Sequence, residues 1–387
     1  MDDDEFSATT KTKKQKREPS SPASAPVIAG CMIPEELILC EILPRLPYKL
    51  LCRFKCVCKK WNNLKFLPNY QLVSVGKDET LVYTITTPGI TVCKSYPNSF
   101  LPNDDYRARL ISSTNGLLCL ELENNTINHS FLYVHNPLTS EGRVIPDSGG
   151  CVNSVALAFE SKTSSTDYKI IHPVKLRHDC ESTRASRRHI LTFGFVIFSS
   201  TTSKWVSTNA KVTIRDFIKL GKSIYVKGVV YWECSNQLMS FNIEEDVCTI
   251  ITLPENIPGL NFNEMGVCKD QLTYTKICGF HVQVWLLNNN GNWEQIYKVN
   301  NLQMIVDNES FFLPLGLLLM RKGKKVERMF YMNKLLPLPF YGGEKLYMRV
   351  RSVFHYEDTV ILYNIKTGDF SRVIENRCAD RILPYNT

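Results

Sequence analysis

The chain is 387 residues long, 44% hydrophobic and 22% charged, the balance of a soluble globular protein with room for one large domain or two to three average ones. Its net charge of +8 is mild, and seven Lys/Arg against three Glu in residues 31–67 supply half of it. That spread is not by itself the footprint of a nucleic-acid binder, and no nucleic-acid partner is expected.

Residues 1–30 are polar, poor in aromatics and rich in Ser, Pro and Ala, with five Lys/Arg balancing five Asp/Glu. They read as a disordered tail. Within it Lys11-Thr12-Lys13-Lys14-Gln15-Lys16-Arg17 resembles a nuclear localisation signal, although short basic runs are also common as solvated surface. The opening MDDDEF lacks the basic-then-apolar plan of a secretory signal. The 14 cysteines are scattered without paired spacing. Reduced thiols and a nuclear and/or cytoplasmic location are expected.

Residues 31–67 are helical in pattern. Pro34 opens a helix with Glu35 and Glu36 in its first turn, where carboxylates suit the helix dipole. Leu37, Ile38, Ile42, Leu43 and Leu46 recur at helical spacing; after Pro47 the stripe resumes with Leu50, Phe54, Val57, Trp61 and Leu64. Lys49, Arg53, Lys55, Lys59 and Lys60 occupy the other face. Fewer than about 40 residues rarely bury enough apolar surface to fold alone. The stripe is therefore half of an interface with another protein, or a helical hairpin packed on the rest of the chain.

Residues 33–64 resemble the F-box, the helical motif by which substrate receptors dock on the Skp1 adaptor of cullin-RING ubiquitin ligases. The resemblance, closest to plant members, rests on Pro34-Glu35-Glu36-Leu37, Glu41-Ile42-Leu43, Arg45-Leu46-Pro47, Lys49, Arg53-Phe54, Cys56-Val57-Cys58-Lys59 and Trp61. Ile33, Cys52 and Pro44 depart from the usual Leu, Leu and Ser, and Pro44 can end the first helix early. The resemblance implies that Pro34, Leu37, Ile42, Leu43, Leu46, Pro47, Leu50, Phe54, Val57 and Trp61 form the Skp1-binding motif, some of them packing it internally.

Beyond residue 72 the texture is β-rich. Residues 81–86, 116–120 and 229–232 read as strands, and no helical periodicity of ten residues or more is found. A weak repeat of strand, polar turn and strand occurs at 132–146, 196–208, 239–254, 284–299 and 360–375, with turns near 140, 203, 245, 290 and 367. Residues 176–188 read as a polar insert, a long flexible loop, within it. The interval from 290 to 367 is long enough for a further unit with strands at 315–320 and 326–332. The apolar run 311–320 contains Pro314 and Gly316 and has half the length a membrane span needs. Earlier strand pairs at 115–120 and 223–232 point to four strands per unit, hence a propeller-like domain of about six or seven blades; paired β-sandwiches are the alternative. Ser113 to Leu120, His135-Asn136-Pro137-Leu138-Thr139, Asp167 to Ile171 and Gly228 to Trp232 resemble the F-box-associated domain of plant F-box proteins.

No catalytic or cofactor constellation stands out. Cys52, Cys56 and Cys58 lie on a helical pattern, and Cys56 and Cys58 cannot share a face. His178, Cys180 and His189 lack a fourth metal ligand. Phosphate loops, nucleophile elbows and His-Glu-x-x-His are absent. No metal, cofactor or enzymatic activity is expected. Two basic clusters are candidate substrate contacts: Lys175, Arg177, Arg184, Arg187 and Arg188, then Arg321, Lys322, Lys324, Lys325 and Arg328.

The expectation is an α+β multidomain chain: a tail at 1–30, a small helical F-box at 31–67 and an all-β propeller-like substrate domain at 72–387. The resemblances imply a substrate-recognition subunit of an SCF-type (Skp1-cullin-F-box) E3 ubiquitin ligase. Its partners would be a Skp1-like adaptor, through it a cullin-RING ligase, and an unknown target protein. The alternative is a non-degradative Skp1-binding or protein-interaction scaffold.

Overall fold

The computed structural model describes residues from Tyr70 to Pro384, apart from 86–90, 102–104, 149–153, 160–166, 183–186, 216–219, 255–260, 279–280, 313–316, 323–324, 353–357, 377–381 and shorter gaps. The tail, F-box and Cys52/Cys56/Cys58 readings lie outside the described residues.

The described strands form six antiparallel four-stranded sheets and one two-stranded hairpin. The first sheet contains β1 (Tyr70–Val75), β2 (Glu79–Ile85) and β3 (Thr91–Pro97). The second is β4 (Tyr106–Thr114), β5 (Leu117–Asn124), β6 (His129–Asn136) and β7 (Glu141–Ile145). The third is β8 (Ala156–Phe159), β9 (Tyr168–Ser182), β10 (Arg187–Ser199) and β11 (Lys204–Arg215). The fourth is β12 (Leu220–Val226), β13 (Val229–Cys234), β14 (Gln237–Asn242) and β15 (Val247–Thr252). The fifth is β16 (Asn261–Cys268), β17 (Gln271–Cys278), β18 (His281–Leu287) and β19 (Trp293–Asn300). Two short helices follow, α1 (Asn301–Asp307) and α2 (Glu309–Phe312), then the hairpin β20 (Leu317–Lys322) and β21 (Lys325–Tyr331). The sixth sheet is β22 (Asn333–Pro337), β23 (Lys345–Ser352), β24 (Asp358–Asn364) and β25 (Phe370–Asn376). Finally β26 (Ile382–Pro384) returns to the first sheet and pairs antiparallel with β1, Val73 opposite Leu383.

The strands that lead each sheet, from β26 through β4, β8, β12 and β16 to β22, adjoin in succession. The fold is a six-bladed propeller whose last strand completes its first blade. Within a blade burial follows strand position. The third strand β14 is buried on both faces, whereas the outer strand β15 alternates with solvent.

The apolar core is divided among the blade interfaces. One cluster joins Val73, Val75 and Val82 to Leu110, Leu118 and Leu120 of the second blade. Corresponding clusters join blades two and three, three and four, four and five, five and six, and six and one. Each blade thus buries both faces against neighbours, which is why its middle strands read as apolar runs.

Turn chemistry repeats with the blades. First hairpins carry two consecutive residues at positive φ: Asn115-Gly116, Lys227-Gly228, Lys269-Asp270 and Gly342-Gly343. Last hairpins carry one: Ser140, Ser203, Asp246, Gly291 or Gly368. In four of those the third strand ends at, or one residue before, an Asn whose side chain accepts from the turn: Asn136 from Leu138 N (3.0 Å), Asn242 from Glu244 N (3.0 Å), Asn288 from Asn290 N (3.1 Å) and Asn364 from Lys366 N (3.0 Å).

Two expectations are corrected. The strands expected near 315–320 and 326–332 form β20 and β21, but they make a lone hairpin and no seventh blade. The interval is filled instead by α1 and α2, whose Ile305 and Phe312 bury themselves in the interface of blades five and six, Phe312 against the ring of Phe370 (4.8 Å). Second, 176–188 is no long loop. β9 and β10 extend the blade ladder through it, leaving a short connection at 183–186. Its residues lack apolar alternation, so the extension is carried by backbone pairing beyond the apolar base at Ile170, Ile171, Phe193 and Phe195.

Candidate partner-binding site

The ten expected adaptor-docking positions, Pro34 to Trp61, lie outside the described residues, as do Arg184 and Lys324. The first basic cluster sits on the β9–β10 hairpin. Lys175 and Arg177 are exposed, and Arg177 Nε lies 2.8 Å from the carboxylate of Asp179. The register sets Arg188 opposite Glu181 and Arg187 opposite Ser182. The Asp179 carboxylate thus partly neutralises the cluster at Arg177. The second cluster flanks the β20–β21 turn, with Lys322 opposite Lys325 and Arg328 opposite Met320 across a register shift.

The blades are tied together by side chains that cross their boundaries. Trp205 Nε1 donates to Pro146 O (2.9 Å), Trp293 Nε1 to Thr252 O (2.8 Å) and Trp232 Nε1 to Ser154 O (2.7 Å). Arg143 reaches from β7 to Ser200 O (3.1 Å) and stands over the Phe198 ring (5.6 Å). In the His135–Thr139 segment His135 is buried, its Nδ1 3.1 Å from Glu141 O and its ring 4.5 Å from that of Phe100. Burial holds its pKa below the ordinary value. These residues close a hairpin and make no catalytic grouping.

A polar cluster does gather on blades four and five. Lys222 of β12 pairs with Glu264 of β16. Asn263 donates to Glu233 of β13 and to the Tyr274 hydroxyl (2.5 Å). Burial, then the Glu264 charge, raises the Glu233 pKa to about 7, with Lys222 opposing. Shifted carboxyl groups are a signature of acid–base sites, but structural networks shift them too. Here each group is engaged by another within the protein. The protonated carboxyl of Glu233 is favoured by the fold, so its contribution to stability is full below the ordinary value of 4.5 and is lost as pH rises through 7. The loss amounts to about 3 kcal/mol at most. Glu233→Gln is expected to flatten that part of the profile, measured as denaturation midpoints at pH 5 and pH 8; an unchanged difference between the two would count against it.

Among the described cysteines none is in a disulfide, and burial raises Cys119, Cys234 and Cys248 to about 12, so they stay protonated packing groups. No group of three or more metal-binding side chains is assembled among the described residues, and no described helix is long and apolar enough to cross a membrane.

Residues 31–69 match the F-box domain, and residues 90–321 match the β-propeller of "F-box protein At3g26010-like". Together with the six blades, these define an F-box protein carrying a propeller. The chain belongs to the F-box protein At3g26010-like beta-propeller family. Relatives in Arabidopsis thaliana include F-box protein At5g49610, 28% identical over 59% of this chain and 66% of the relative. F-box protein At5g07610 is 26% identical over 61% and 59%, and F-box/kelch-repeat protein At3g23880 is 23% identical over 71% and 80%. The chain thus spans just under two thirds of the length of the first of these.

Proposed function

We propose that this protein is the substrate-recognition subunit of an SCF-type E3 ubiquitin ligase. The F-box docks on a Skp1-like adaptor and, through it, a cullin-RING ligase; the propeller holds the target. One observation supports this reading above the others: an F-box match at 31–69 precedes a six-bladed propeller, a rigid display surface. The subunit performs no chemistry itself. It raises the effective concentration of a target lysine near the charged conjugating enzyme. The exposed Lys175 and Arg177 and the basic turn of β20–β21 are the proposed target contacts, and the Lys11–Arg17 run supports a nuclear as well as a cytoplasmic location.

The test is co-purification with a Skp1-type adaptor. Leu46→Ala with Pro47→Ala is expected to abolish recovery of the adaptor while leaving the β-sheet circular dichroism and unfolding midpoint of the propeller unchanged. Full recovery by the double variant would sink the docking assignment.

A further inference from the structure

We propose that the outer edge of β11, from Lys211 to Arg215, receives an extended acidic segment of the target protein, added as a further strand to blade three. The proposal deepens the target-holding reading above and rests on it. β11 is the last strand of its sheet, and among the described residues no strand pairs with its outer side. Such an edge presents a row of open backbone donors and acceptors, the template for strand addition. Natural edges are commonly kept short. Here β11 runs for 12 residues, against 5 to 8 in the outer strands of the other blades.

One amide of this edge is already taken. Asn209 N–H donates to the carboxylate of Asp246 in the last turn of blade four (2.8 Å). That contact marks where the open length begins. Glu244 and Glu245 share the turn with Asp246 and repel further acid at the Asn209 end. From Lys211 onward the edge has the length of an ordinary short strand.

Charge selects the occupant. Ala210, Val212 and Ile214 are buried against blade four, while Lys211, Thr213 and Arg215 are exposed. No Asp or Glu occurs in β11, and among the described residues Lys211 and Arg215 have no ion-pair partner. Behind them, Thr213 Oγ1 lies 3.0 Å from Thr192 Oγ1 of β10. Lys211 pairs with Gly194, and Leu176 of β9 covers that glycine, 2.9 Å from where a Cβ would stand. The exposed Leu176 thus adds an apolar contact beside the cations. Like charges directly opposite one another destabilise a strand pair and opposite charges stabilise it. Lys211 and Arg215 therefore disfavour a second copy of β11 at this edge and favour a strand carrying Asp or Glu.

The experiment is fluorescence anisotropy of the full chain with a labelled peptide of alternating Glu and Thr. Saturable binding is expected, weakened about tenfold or more by Lys211→Glu with Arg215→Glu. Both side chains are exposed, so the unfolding midpoint is expected to stay unchanged in that variant. A peptide of the same charge with Pro in place of Thr lacks half the backbone donors and is expected not to bind the wild type. Absence of saturable binding, equal affinity for a folded double variant, or equal affinity for the proline peptide would each overturn the edge site. Recovery of the Skp1-type adaptor on the same preparation reads the ligase assignment separately. A chain that recovers the adaptor and ignores the peptide overturns the edge site alone.

Discussion

A chain ending at Asn376 is expected to lose the cooperative unfolding of the intact propeller and to run as aggregate on gel filtration. The truncation removes β26 alone among the described strands. It leaves Leu72, Val73 and Ser74 without the partners Pro384, Leu383 and Ile382. All three residues of β1 are buried, Leu72 and Val73 completely. Backbone groups left buried and unpaired cost about 1–3 kcal/mol each, a large share of the roughly 5–15 kcal/mol by which a domain is stable. Leu72 also belongs to the cluster between blades six and one, so an opened first blade weakens that interface. Far-ultraviolet circular dichroism and gel filtration measure the outcome. A monodisperse truncated chain with the full-length midpoint would show that β26 is dispensable.

Trp232→Ala is expected to cost about 3–5 kcal/mol, the range for emptying a large aromatic site. Trp232 is completely buried between blades three and four, packed near Phe195 (5.9 Å) in the cluster that also holds Phe241. Its indole N–H satisfies Ser154 O across the interface at 2.7 Å. Trp232→Phe separates the two contributions. It keeps most of the ring volume and forfeits the hydrogen bond, with an expected loss of about 1–3 kcal/mol if the carbonyl stays dry. Denaturant midpoints at constant slope measure both. Equal losses for Ala and Phe would show that the hydrogen bond, and not the volume, dominates.

The parts of the fold legible in the sequence are those with local causes. The turns expected near 140, 203, 245, 290 and 367 are the last hairpins of five successive blades, since each pairs an apolar strand with a half-exposed one around a short polar turn. Asn136, Asn242, Asn288 and Asn364 are a sharper marker, recurring at equivalent turns because their side chains cap them. The leading strands were harder to read, because their partners lie in other blades. Blade number was hidden by α1, α2 and β20–β21, whose apolar residues imitate another blade. The hairpin at 176–188 was illegible for the opposite reason, a polar ladder with no apolar face. Among the candidate contacts, charge showed where the basic clusters are. It could not show that the first cluster lies on a paired hairpin with Arg188 opposite Glu181, which is a property of register.

The pairing of β1 with β26 also has a consequence in time. Val73 and Leu383 are 310 positions apart in the chain. At about 5–20 residues per second, a ribosome needs about 15–60 s to make the stretch between them. Residues 31–69, the F-box match, are complete before that interval begins. The first blade, by contrast, waits without its fourth strand until synthesis is nearly over. During that wait its open edge is a surface in need of a chaperone.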